Sequence, residues 1–450
     1  MRRAVLVAVA ILLAAAPAAS ARDKYDVHLL AKVPPPGQPA LALVAPDRTI
    51  YVGTFTNSAG TANGASKVFA YSPDGQLLKT YTIEGQQADA NNGVQVAAID
   101  ANGVLYLLDQ HPARVVTLDP RTGAQSTYAT FKDVPTCPPP GVGNECSATL
   151  LDNPPEPDYA AWGTDRALYV TDYTQGLVWR VPPNGGPAHV WFTDQRFDGV
   201  QFGPAGIQLM PDRRTLMIST SAGGPTSPNP TTGKLYTLPI QADGPPGTLT
   251  QIYESGPKEA PDGFALAESG NVYMALVGPG TNQLVVISPD GQEIARISHD
   301  ASGPDDVPFD EPSSVTFDGQ RAIVTNDAYF SGDATHFAIF DVFAGEPGAK
   351  VYVPPSITPA TRQLADATVR PRHVPIRRRV TLRLHVFPPG QPKLGVKGAR
   401  AKVKGVRSKL TNRRGRTRLR VTFRRPGRRA VKFTKGGKTI ARAYLRAVRR

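Results

Sequence analysis

One two-strand phrase recurs six times in the first 355 residues, and no other feature of the chain narrows its fold as far. The copies are GQPALALVAPDRTIYVGTF, GVQVAAIDANGVLYLLD, EPDYAAWGTDRALYVTD, GPAGIQLMPDRRTLMIST, APDGFALAESGNVYMAL and EPSSVTFDGQRAIVTND. Each reads as an opening turn, a short apolar strand, a polar turn and a second strand. Most are followed by a third strand, as in SKVFAYSPDG or QLVVISPDG, and then a fourth such as HVWFTD or EIARIS. The runs are short, β-branched or aromatic, and punctuated by Pro, Gly, Asp and Asn, which is the chemistry of strands and tight turns. No helical period is sustained. A unit of this kind recurring about every 40–60 residues predicts a propeller, whose radial packing buries both faces of each sheet. The expected fold is all-β, a six-bladed β-propeller over residues 22–355. Two β-sandwiches would supply strands but not the sixfold recurrence.

The charge then separates a second unit. The chain carries a formal +14, but residues 361–450 hold 30 Lys and Arg against one acid, Asp366, leaving 21 basic and 36 acidic residues in the first 360. An asymmetry of that size points to two units. The Pro-punctuated stretch SITPATRQLADATVRPRHVPIRRR is expected to be a linker over residues 356–379, followed by a small basic β-sandwich over 380–450. In RTRLRVTF, Leu419, Val421 and Phe423 share one face and Arg416, Arg418 and Arg420 the other. The phrase GARAKVKGVRSKLTNRRGRTRLRVTFRRPGRRAVKFT resembles carboxypeptidase-regulatory-like and other immunoglobulin-like modules. The cations form either a solvated sheet face or a footprint for an anionic partner, such as an acidic cell-envelope polymer or a membrane surface. The acidic body is another candidate. Few aromatics interleave the cations, so nucleic acid is not expected.

The opening MRRAVLVAVAILLAAAPAASA places two arginines before a short apolar run that ends in small residues. It is expected to be a signal peptide, 1–21, making the protein secreted or envelope-associated. In that compartment Cys137 and Cys146, in CPPPGVGNEC, are expected to close a loop as a disulfide.

In a propeller the first strand of each blade lines the axis, so its opening residues converge on one mouth. Aligning the phrases places Pro39, Gln95, Asp158, Ala205, Asp262 and Ser313 there, with Gln38 one position away and Tyr159 beside Asp158. On these residues the body resembles the senescence marker protein, gluconolactonase and luciferin-regenerating enzyme family. APDGFALAESGNVYMALVGPGTNQLVVISPDGQEIARI, EPDYAAWGTDRALYVTDYTQGLVWRV and GPAGIQLMPDRRTLMIS follow its phrases in order. The resemblance implies one divalent cation, calcium or zinc, on the axis. Asp262 matches the family's aspartate ligand, and Asp158 stands where an asparagine ligand would. Ala205 stands at the second asparagine and cannot bind. No acid occupies the first-blade position, where Gln38 is the nearest donor. Gln95 and Ser313 could add oxygens, since hard cations take six or more. Such a cation would polarise a lactone or ester carbonyl and help activate water.

A plainer role competes at Asp262, because PDG is a strong turn sequence and SPDG recurs as a turn at 72–75 and 288–291. Seven histidines are scattered without HExxH, and no GxSxG is present, which excludes zincin and α/β-hydrolase chemistry. Two functions remain. One is a propeller that binds a small-molecule ligand in its axial cavity without efficient catalysis. The other is a metal-dependent lactone or ester hydrolase.

Overall fold

The computed structural model describes residues 22–55, 65–87, 93–138, 145–200, 202–224, 227–242, 244–355, 366–387, 395–436 and 438–448. Each repeat builds an antiparallel sheet, and the six inner strands are Ala42–Val44, Val94–Ile99, Pro157–Trp162, Pro204–Leu209, Pro261–Leu266 and Pro312–Asp318. Each packs against the inner strand of the next blade, and the sixth packs against the first, so the ring closes. Five repeats supply four strands in chain order. The sixth supplies three, and its outermost strand is Val27–Lys32, paired antiparallel with Ala338–Phe343. The second blade gains a short parallel strand, Gly186–Pro187.

Burial on both faces explains the near-continuous apolar runs. Leu168–Asp172, for example, is buried at every position. The tryptophans pack between blades. Trp162 meets Tyr106 of the second blade edge-on at 4.9 Å, and its indole N–H donates to the Ile99 carbonyl at 3.1 Å. Fully burying such a side chain contributes about 1.5–3 kcal/mol. Cys137 and Cys146 form a disulfide, with their Cα atoms 5.0 Å apart. No helix among the described residues is long and apolar enough to cross a membrane. The expected signal peptide, 1–21, lies outside the described residues.

Four inner strands open on proline: Pro157, Pro204, Pro261 and Pro312. Proline has no N–H to give to the ladder, and in each case the register shifts immediately after it. A shift of this kind re-aims the next side chain. That local irregularity sets the direction of the axial residues.

The chain divides between Ile357 and Thr358 into two units. The second has a three-stranded sheet (Asp366–Arg370, Val380–Phe387, Arg416–Val421) and a five-stranded sheet (His373–Pro375, Arg400–Val403, Lys409–Leu410, Gly427–Lys435, Lys438–Val448). Leu382, Leu384 and Leu419 of the first share one core with Val431, Phe433 and Leu445 of the second. Two of these strands, 366–370 and 373–375, fall in the stretch expected to be a linker. The prolines that suggested a linker, Pro371 and Pro375, sit at strand ends, where a missing N–H is tolerated.

Candidate ligand site on the propeller axis

The residue after the opening of four inner strands faces a cavity of about 100 Å³ on the axis. Asp158, Ala205 and Asp262 follow Pro157, Pro204 and Pro261, and Gln95 follows Val94. The first blade contributes Ala40, not Pro39. The pairs Ala42↔Val52 and Ala160↔Val170 set Ala40 level with Asp158 and Pro39 level with Pro157. The dipeptide Pro-X, common to QPALA, EPDYA, GPAGI, APDGF and EPSSV, carries that alignment in the sequence.

Two expected lining residues turn elsewhere. Gln38 is buried but is not part of the cavity wall; its backbone takes φ 46° two residues before Ala40, and its carbonyl accepts from the Phe55 N–H at 3.0 Å. The same left-handed conformation stands two residues before Asp262 and Ser313, at Ala260 (φ 49°) and Glu311 (φ 55°), so it serves the turn into the blade. Ser313 lies at the expected level, but its hydroxyl donates to the Ala40 carbonyl at 2.7 Å, joining the sixth blade to the first.

Asp262 is not in a turn. Pro261, Asp262 and Gly263 are strand residues, whereas Gly75 and Gly291 of the two SPDG sequences have φ of 81°. Gly263 is needed for space: a Cβ there would lie 2.5 Å from the Tyr159 hydroxyl and 2.8 Å from the Ser313 carbonyl oxygen. Tyr159 explains the crowding. From the third blade it reaches across the axis to the sixth, donating to the Ser313 carbonyl at 2.9 Å. It lines the small cavity on one side and, on the other, an apolar cavity of about 570 Å³ walled by Leu41, Val96, Ile207, Phe264, Val315 and Tyr352.

A second ring of lining residues comes from one position past the second strand of blades three to six: Tyr173, Ser221, Val277 and Asp327. Asp327 ends the phrase RAIVTND, and its role was concealed because that position is a loop residue with no fixed pattern. Above this ring stands an aromatic collar. Tyr173 stacks on Phe202 with centroids 5.8 Å apart, Phe202 meets Phe330 at 6.1 Å, and Tyr329 meets Phe330 at 5.0 Å. Phe55 completes the aromatic lining.

Three carboxyl groups therefore share this small space, and burial governs their ionisation. Asp158 is held well above the ordinary carboxylate range chiefly by burial, even though the Gln95 amide donates to it. Burial also raises Asp262, and the neighbouring Asp158 and Asp327 charges add to the effect. Asp327 is pushed up to about 8, again by burial first and then by Glu311 and Asp310. Its Oδ1 is buried without a hydrogen-bond partner among the described residues. Tyr159 and Tyr173 are raised as phenols by burial, with Asp262 and Glu156 respectively adding to it. The pocket carries more negative potential than its own donors satisfy.

The donor set does not fit the implied divalent cation. Ala40 and Ala205 put methyl groups at two of the six axial positions. Among the described residues no three of His, Cys, Asp or Glu lie close enough to hold one metal ion. The carboxyls share their cavity wall with Phe55, Tyr173, Phe202, Tyr329 and Phe330.

These features define an all-β propeller with an acidic, aromatic pocket on its axis. No family model matches the chain, and no curated protein matches it. Among solved structures, it is similar to regucalcin from Agrobacterium tumefaciens, described as a calcium-binding protein, at 16% identity and a TM-score of 0.48, covering 74% of this chain and 97% of that one. A luciferin-regenerating enzyme is 11% identical with a TM-score of 0.46 (74% and 99% covered). Virginiamycin B lyase from Staphylococcus aureus is 13% identical with a TM-score of 0.43 (71% and 99% covered). The propeller assignment rests on the sheet topology itself, and no activity is carried over from these structures.

Proposed function

We propose that this protein is an exported binding propeller that takes a small organic cation, an ammonium group of a few heavy atoms, into the axial pocket. The observation that supports this reading is the joint presence of Asp158, Asp262 and Asp327 with Phe55, Tyr173, Phe202, Tyr329 and Phe330 around one small cavity. A buried carboxylate is costly without a counter-charge, and a cation entering the pocket restores the ionised form. Aromatic faces add cation–π attraction of about 0.5–2 kcal/mol each where water is excluded. Among the described residues beside these carboxyls no side chain is placed as an activated nucleophile, and the reading rests on the carboxyl–aromatic lining. The leader and the disulfide support export.

Titration with tetramethylammonium and ethanolamine, followed by thermal melting and calorimetry, tests it. One of the two should raise the melting midpoint, as a ligand of the native state alone must. Asp262→Asn and Asp327→Asn should each weaken that binding at least tenfold. A midpoint raised only by calcium or zinc, with turnover of a lactone that is lost in Asp262→Asn, would replace this reading with the hydrolase.

A further inference from the structure

The propeller pocket leaves unused the strongest charge feature of the chain, the cations of the second unit. Strand pairing shows how they are arranged. In the three-stranded sheet, Arg370 pairs with Arg383 and Arg383 with Arg418, so three guanidinium groups form one row across three strands. Arg416 and Arg420 extend the same face along the last strand, and all five side chains are exposed. None of these five has a carboxylate partner within the described residues.

The five-stranded sheet repeats the pattern on its own outer face. Lys402 pairs with Lys432, and both are exposed beside exposed Arg400. Like charges directly opposite one another destabilise a sheet, since their Cβ atoms lie only about 4.5–5.5 Å apart. The unit holds these rows together with Leu382, Leu384, Leu419, Val431 and Phe433 in its core. An arrangement that costs stability on both faces is relieved by a densely charged anion.

We propose that both outer faces of this unit bind one class of partner, a linear polymer that carries a phosphate group at every repeat and no nucleobases. Three observations favour it. Of the 30 cations in residues 361–450, 22 are arginine, whose planar fork matches phosphate oxygens bidentately. Charge on two outer faces suits a flexible chain that wraps the unit, whereas a bilayer would engage one face. Leu410 is the only large apolar side chain exposed among the unit's described residues, so no wedge is present for lipid insertion. The described side chains of these faces include no aromatic platform for stacking bases.

The test uses the full chain and labelled inorganic polyphosphate. Affinity should fall at least tenfold between 50 and 200 mM salt, on a straight line in log–log form, as counterion release requires. Arg370→Gln/Arg383→Gln/Arg418→Gln should weaken binding at least tenfold, and Lys402→Gln/Lys432→Gln should weaken it further when combined. Circular dichroism and the melting profile establish that each variant is folded. Retention of affinity within twofold by the folded combined variant overturns the proposal. So does binding to phosphatidylglycerol vesicles that polyphosphate cannot compete away, and so does a single-stranded DNA of equal charge binding tenfold tighter than polyphosphate.

Discussion

Asp327 shows how a single side chain sets the pH behaviour of the pocket. The unfolded chain releases this proton in the ordinary carboxylate range, whereas the native state keeps it to about pH 8 because the group is buried. Between those values the native state binds more protons than the unfolded one, so this residue makes stability fall as pH rises, with no further loss above pH 8. Asp327→Asn should therefore melt with the wild type near pH 4 and above it at pH 9. The gap is on the order of 2–5 kcal/mol, several degrees for a unit of this size. Melting curves without ligand across that range check it. Gly263 offers a steric counterpart. Gly263→Ala drives a methyl into the Tyr159 hydroxyl and the Ser313 carbonyl. It should cost about 2–4 kcal/mol, part of which Tyr159→Phe in the double variant should return, measured by denaturant unfolding. Sequence exposed Asp158 and Asp262 because a Pro-X dipeptide opens their strands. It hid Asp327, Tyr173 and the collar because the residue one position past the second strand differs in type from blade to blade, and it misplaced Gln38, whose backbone is left-handed, and Ser313, whose hydroxyl is held by the Ala40 carbonyl.

At the level of strands, the most consequential pairing is the one farthest apart in the chain. Val27–Lys32 completes the sixth blade by joining Ala338–Phe343, and Arg22 adds an ion pair to Asp341 at 2.9 Å. Without that strand the sixth sheet would expose an unpaired edge and the side chains beneath it. Removal of residues 22–32 should lower the propeller's melting midpoint by ten degrees or more and promote aggregation, seen by calorimetry and light scattering; an unchanged midpoint would mean the ring closes without it. The inner strands were legible because each is short, apolar and punctuated. The closing strand was not, since VHLLAK carries no repeat signal and its partner lies some three hundred residues away. The strands at 366–370 and 373–375 were masked by prolines that mark their ends.

The whole molecule joins an acidic propeller to a strongly basic second unit, and salt acts on the second most strongly. Screening shortens the reach of like-charge repulsion to about 8 Å at physiological ionic strength. Raising salt from 20 to 300 mM should therefore lift the melting midpoint of the second unit by several degrees while moving the propeller less, resolved by calorimetry of the full chain. Equal shifts in both would contradict the charge-row argument.

Tyr159, tied from the third blade to the sixth, has a bearing on traffic through the ring. The propeller is not a conduit: a solute arriving at the acidic mouth meets a bolted phenol and must leave by the door it came through. Exchange kinetics at that mouth should thus depend on the collar of Phe55, Tyr173, Phe202, Tyr329 and Phe330, and blocking the oily opposite mouth should leave them untouched.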